Sequence, residues 1–273
     1  MGKRAVLGLL MLIICGLAEA IQTGDPAAPV KRPRADSVPA QIAAAKALAD
    51  RVGTVSLLTL PETGESLLVI GDRYGIMRVS EFTEYGLREI WKSNTLEGAI
   101  FEVRTADLDA DGSPEIVVRS RVGGHIHVFN SNFETVWASI NREYDTILAL
   151  DLANVDSDPA IELIILADEG NLDYVDGKDF VLEFRSNQVY RADDMKVGNV
   201  DIDDTLEIVL NTGIVLDSQD AEPEWATGNF GSYIELFDID GDGIEEILAH
   251  EPFRPMIIYD AENQQEKPLQ WER

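Results

Sequence analysis

Four copies of one acidic loop, five recurrences of an aromatic-tipped strand and a shared beat of about 45 residues predict an all-β fold of repeated four-stranded units, a β-propeller of five blades. The loops are Asp107–Glu115, Asn154–Glu162, Asn199–Glu207 and Asp238–Glu246. Each runs directly into an apolar strand, as in Ile116-Val117-Val118 or Leu163-Ile164-Ile165. The ninth-position acids Glu115, Glu162, Glu207 and Glu246 stand 47, 45 and 39 residues apart. The aromatics Trp91, Trp137, Phe184, Trp225 and Trp271 stand 46, 47, 41 and 46 apart. A two-sheet sandwich also has many short strands, but nothing in it calls for a signature at a steady interval. Five aromatics against four loops imply a first unit without the loop. Its equivalent segment, Leu57–Glu65, has Leu57, Thr59 and Pro61 where acids stand elsewhere.

The first twenty residues read as a secretory signal. Lys3 and Arg4 open it, Ala5–Leu17 is an apolar run too short to span a bilayer comfortably, and Ala18-Glu19-Ala20 is a cleavage pattern. Cleavage would leave a secreted, periplasmic or cell-surface protein with no transmembrane span in the mature chain. It would also remove Cys15, the only cysteine, so no disulfide would hold the fold. Residues 21–39, rich in Pro and Ala, read as a flexible linker. Residues 40–52 read as a short helix, preceded by Asp36 or Ser37 as cap and ended by Gly53. Ile42, Ala45, Leu48 and Val52 form its apolar stripe, which should lie against the following domain. Residues 53–273 are assigned to the propeller. In the second unit the strands fall at roughly Ile100–Thr105, Ile116–Arg121, His125–Phe129 and Thr135–Ala138. Ile116-Val117-Val118 is apolar on both faces, as a sheet between two neighbours requires.

The loop chemistry points to Ca²⁺. Asp107, Asp109 and Asp111 alternate, Gly112 permits a sharp turn, and Glu115 follows: hard oxygen donors of the kind Ca²⁺ selects. An EF-hand would need its acid at the twelfth position, which is Val118.

The pattern D-h-D-x-D-G-x-x-E-I, with a Gly-led hairpin strand ending near V-F-N, resembles the FG-GAP/VCBS repeats of integrin α-subunit propellers and many secreted bacterial proteins. The resemblance covers residues 53–273 and implies Ca²⁺ held in peripheral blade loops, in a fold often used for adhesion or assembly. On that alignment loop positions 1, 3, 5 and 9 are side-chain ligands and position 7 offers a carbonyl. The second unit supplies Asp107, Asp109, Asp111 and Glu115 with Ser113; the third supplies Asn154, Asp156, Asp158 and Glu162 with Ala160. The fourth supplies Asn199, Asp201, Asp203 and Glu207 with Thr205; the fifth supplies Asp238, Asp240, Asp242 and Glu246 with Ile244. Up to four ions would bind. Asn154 and Asn199 each remove one charge, so the second and fifth sites should be tightest. The chain departs from the family in its five units, where integrins usually have seven. Pro159 and Asp204 also replace the loop Gly, so the third loop must bend differently.

The 50 acidic residues against 22 Lys and Arg give a net charge of −28, which excludes nucleic acid as a partner. Bound cations would relieve the self-repulsion. His125 and His127, two apart on a strand, are better read as ordinary strand residues than as half a metal site. No G-x-S-x-G, H-E-x-x-H or phosphate loop is present. The favoured function is an interaction module for another envelope or extracellular protein or for a glycan. The alternative is a propeller enzyme, a hydrolase or lyase, acting on extracellular polysaccharide, whose paired carboxylates should break the repeat.

Overall fold

The computed structural model describes residues 37–49, 54–120, 123–139, 144–203, 205–252 and 256–267. The expected signal, most of the linker, the expected helix end at 50–53 and Trp271 lie outside the described residues. Helix α1 (Val38–Ala49) starts where the Ser37 carbonyl accepts the Ala40 and Gln41 N–H groups. Twenty strands follow in five antiparallel four-stranded sheets. Blade one holds β1 (Val55–Thr59), β2 (Ser66–Gly71), β3 (Met77–Thr83) and β4 (Gly86–Lys92). Blade two holds β5 (Ile100–Ala106), β6 (Glu115–Ser120), β7 (Ile126–Phe129) and β8 (Thr135–Ala138). Blade three holds β9 (Ile147–Ala153), β10 (Glu162–Ala167), β11 (Leu172–Val175) and β12 (Leu182–Arg185). Blade four holds β13 (Met195–Gly198), β14 (Glu207–Leu210), β15 (Ile214–Asp217) and β16 (Pro223–Ala226). Blade five holds β17 (Tyr233–Phe237), β18 (Glu246–His250), β19 (Ile257–Asp260) and β20 (Gln265–Lys267).

Every residue of the second strands β6, β10 and β14 is buried, because apolar side chains on both faces feed two inter-blade cores. One apolar cluster joins each successive pair of blades from one to five. The aromatic marker belongs to these seams. Trp91 packs on Phe129 and Phe133 of blade two, Trp137 stacks on Phe180 of blade three, and Trp225 stacks on Tyr259 of blade five. Phe184 instead packs on Tyr174 of its own blade, inside the seam with blade four. Two residues after Trp91, Trp137 and Phe184, the Oγ of Ser93, Ser139 and Ser186 accepts the first N–H of the third strand (Met77, Ile126, Leu172).

The hairpin joining third and fourth strands repeats just as closely. Asn130, Asp176, Asp217 and Asp260 each accept loop N–H groups through Oδ1. Phe133, Phe180, Ala221 and Gln264 then adopt positive φ of 66°, 58°, 55° and 51°. The marker aromatics Trp137, Phe184 and Trp225 lie four residues further on. In blade five Tyr259 and Ile258 pair with Glu266 and Lys267, and the expected marker Trp271 lies outside the described residues.

The two ends of the array differ. On blade one, the face turned away from blade two is covered by α1: Ala45 and Ala49 pack with Val55, Leu57, Leu68, Ile70 and Phe82. The helix therefore lies against the propeller, through Ala45 of the expected stripe and through Ala49, which is not on it. On blade five, the face turned away from blade four carries Tyr233 and Phe237, 57% and 62% exposed. Among the described residues no apolar cluster joins blade five to blade one, and no helix is long and apolar enough to cross a membrane.

Candidate metal centre

An up-and-down sheet brings its first-to-second and third-to-fourth connections to the same end, so every acidic loop lies beside the Asp- or Asn-led hairpin of its own blade. All four loops have the same length. The last residue of the first strand pairs with the ninth-position acid: Ala106 with Glu115, Ala153 with Glu162, Gly198 with Glu207, and Phe237 with Glu246. In blade one the closing pair is Thr59 with Ser66 over a loop two residues shorter, which leaves no room for the acidic turn.

Each ninth-position Glu is held in one way. Its Oε2 accepts the N–H of the second loop residue, at 2.9 Å from Leu108, 2.8 Å from Val155, 2.7 Å from Val200 and 2.8 Å from Ile239. Leu108, Val155 and Val200 anchor the loop by burying their side chains in the adjoining seam. Ile239 joins no apolar cluster among the described residues and is exposed. The alternating acids shape the turn through short local bonds. Asp107 accepts from Asp111 and Gly112, Asp109 from Asp111, and Asp111 from Ser113. Asp156 accepts from Asp158, Asp158 from Ala160, Asp201 from Asp203, and Asp203 from Thr205. Asp238 accepts from Gly241 and Gly243, and Asp242 from Ile244. Gly112 and Gly243 take φ of 93° and 94°, the conformation that favours glycine. No residue of Asn154–Glu162 has positive φ, so the Pro159 loop does turn differently, yet it presents its Glu identically.

Carboxylates converge in each loop. Asp107, Asp109 and Glu115 form one group with ligand atoms within 4.8 Å of one another; Asp238, Asp240 and Asp242 form another. Asp111 stands outside the first group and Glu246 outside the second. In blades three and four the groups are Asp156, Glu162 and Glu183, and Asp201, Glu207 and Glu224. Glu183 lies on β12 and Glu224 on β16, and the loop pattern does not point to either. Asn154 donates from Nδ2 to the Asp158 carbonyl, and Asn199 Oδ1 accepts the Asp201 N–H. Burial raises the Glu115 carboxyl to about 7, against the pull of the Leu108 N–H and with Asp109, Asp111 and Asp107 adding to it. Burial likewise raises Glu207 to about 7, and raises Glu162. Glu162 Oε1 is buried with no hydrogen-bond partner. An orphaned carboxylate oxygen beside two further acids suits a hard divalent cation, so the residues fit Ca²⁺.

On the first two strands of the blades several charges are already matched. Arg104 bridges Glu102 and Asp151, both at 2.6 Å, and Arg119 binds Glu102 at 2.7 Å. Asp151 also accepts the Val197 N–H, and Asp194 accepts that of Ile234, so the first strands of successive blades are stitched together. His125 lies outside β7 and its Nε2 pairs with Glu97 at 2.9 Å; His127 is on β7 with its ring 6.4 Å from that of His125.

No family model matches the chain, and no curated protein matches it by sequence. Solved structures do match. The WD40 domain of Pan2 from Neurospora crassa superposes with a TM-score of 0.54 at 12% identity, over 79% of this chain and 64% of that one. Sqt1 from Saccharomyces cerevisiae gives 0.54 at 13% identity, over 74% and 57%. BamB from Moraxella catarrhalis gives 0.47 at 13% identity, over 77% and 62%. The chain is a β-propeller. It spans less than two thirds of the length of each of these three.

Proposed function

We propose that this protein is a secreted or envelope-associated calcium-binding propeller that serves as an interaction module for another envelope or extracellular protein or for a glycan. Its acidic loops are FG-GAP/VCBS-like and hold the ions. The observation that carries this reading is the fourfold placement of a buried Glu beside alternating acids at one end of the blades, with Glu162 Oε1 left without a partner. Asp107, Asp109, Asp111 and Glu115 would hold the ion in blade two, the corresponding residues would do so in blades three and four, and blade five offers the same set with Lys267 Nζ 2.6 Å from Glu246 Oε1. A bound ion supplies charge neutralisation to acids that burial otherwise penalises, and it ties the first strand of a blade to the second. The carboxylates on the first strands favour binding over hydrolysis, because Glu102 and Asp151 are taken up by Arg104 and Arg119.

Calcium titration of the full chain tests this. Uptake should be calorimetrically visible, and each site should stabilise the fold by about 2.7 kcal/mol at one hundred times its dissociation constant. A melting temperature that is the same in EDTA and in calcium, with no heat of binding, would refute it. Export is tested separately by mass spectrometry of the protein recovered outside the cytoplasm, which should lack residues 1–20.

A further inference from the structure

The position three residues after the left-handed hairpin residue is Val136 in blade two, Glu183 in blade three, Glu224 in blade four and Lys267 in blade five. In blades three, four and five this position faces the acidic loop of its own blade. Glu183 stands within 4.8 Å of Asp156 and Glu162, and Glu224 within the same distance of Asp201 and Glu207. Lys267 Nζ lies 2.6 Å from Glu246 Oε1, 3.2 Å from Asp260 Oδ2 and 3.3 Å from Asp240 Oδ2. We propose that blades three and four carry bipartite divalent-cation sites completed by Glu183 and Glu224 from the fourth strand, and that the Lys267 ammonium takes the ion's place in blade five.

Two independent observations support this beyond the clustering of acids. Glu162 is 1% exposed and its Oε1 has no hydrogen-bond partner, although Glu183 and Asp156 converge on it. In blade five the same bay does receive a cation, the chain's own, in a cavity of about 160 Å³. The charge arithmetic is consistent across the repeat. Where the first loop position is Asn (Asn154, Asn199) the fourth strand supplies Glu, and where it is Asp (Asp107) the fourth strand supplies a neutral Val136. Blades two, three and four thus each offer four carboxylates. Blade five offers four and an ammonium. Ligand charge sets Ca²⁺ affinity, so the order expected from the loops alone, with the second and fifth sites tightest, gives way to three comparable sites and a weak fifth.

The inference rests on calcium binding by the loops, and the experiment separates the two. Calcium uptake by the full chain is measured by calorimetry for wild type, Glu183→Gln, Glu224→Gln and Lys267→Met, with circular dichroism to confirm folding; Glu183 and Glu224 are exposed, so their variants should fold. Wild type should show three sites. Each Gln variant should weaken one of them about tenfold or more, and Lys267→Met should add a fourth. Terbium supplies a second readout: Trp137 in blade two and Trp225, next to Glu224, in blade four should sensitise bound Tb³⁺, so Glu224→Gln should lower the emission to the blade-two share while Glu183→Gln, beside Phe184, leaves it unchanged. Uptake by wild type that neither Gln variant alters, or a Lys267→Met variant that gains no site, would overturn this inference and leave the loops standing. No uptake by wild type would overturn both.

Discussion

Leu108 and Ile239 occupy the same second position of their loops, but Leu108 is wholly buried in the seam with blade three and Ile239 is 46% exposed beyond the last seam. Leu108→Ala should therefore cost about 3 kcal/mol in urea unfolding, whereas Ile239→Ala should stay within about 0.5 kcal/mol. Equal losses would mean that a further element covers Ile239. Glu102 shows a different balance. Burial alone would raise its pKa, but Arg104 and Arg119 outweigh that and hold it below the ordinary glutamate value. A carboxyl whose folded pKa is depressed stabilises the fold above its unfolded value, and the contribution is lost as pH falls through the folded one. Wild type should accordingly lose stability as pH drops below the usual Glu range. Glu102→Gln should start roughly 3 kcal/mol less stable, because the buried Arg119 guanidinium loses its charge partner and the half-buried Arg104 keeps only Asp151, and it should show less of the acid slope. Parallel acid profiles of the two proteins would contradict this assignment.

At the scale of elements, the hairpin between second and third strands decides how one blade leads to the next. Gly124 has φ of 60°, and a Cβ there would stand 2.1 Å from the Tyr144 carbonyl, where the chain enters blade three. Gly75, Gly170 and Gly213 meet the carbonyls of Leu96, Tyr190 and Gly228 in the same way. Gly64 also has positive φ, 67°, but nothing lies within 4 Å of its Cβ position. Gly64→Ala should cost about 1 kcal/mol from backbone conformation alone. Gly124→Ala should cost clearly more, since the passing backbone must also move. Comparable melting temperatures for the two variants would show that the crossing is not tightly packed.

For the whole molecule, five blades form an array with unlike ends. Stacked repeats bury a core only against neighbours, so a terminal face needs a cap. Helix α1 supplies one for blade one through Ala45 and Ala49. Ala45→Glu would place a charge in that buried contact. It should release the helix, seen as faster proteolysis around residues 37–54, while the seams between blades two and five keep their protection from hydrogen exchange. Proteolysis at the wild-type rate would show that α1 does not hold blade one.

Much of this was legible in the chain because its causes are local. An acidic loop, its turn residues and the apolar strand after it fall within about a dozen residues, so the period, the blade number, the loop at Asp107–Glu115 and the buried second strands could all be read directly. That blade one lacks the loop was equally plain, although Leu57 and Thr59, aligned with ligand positions, lie on β1 and the loop is two residues shorter. The partners of the loops could not be read that way. Glu183, Glu224 and Lys267 follow their ninth-position acids by 21, 17 and 21 residues, and only sheet register brings them together. The available signal was the hairpin residue with positive φ, from which all three lie at one offset, and backbone conformation is not written in residue type when that residue is Phe, Ala or Gln. The same holds for the exposure of Tyr233 and Phe237 on blade five. Spacing counts residues along the chain, whereas burial and charge pairing depend on which strands lie side by side.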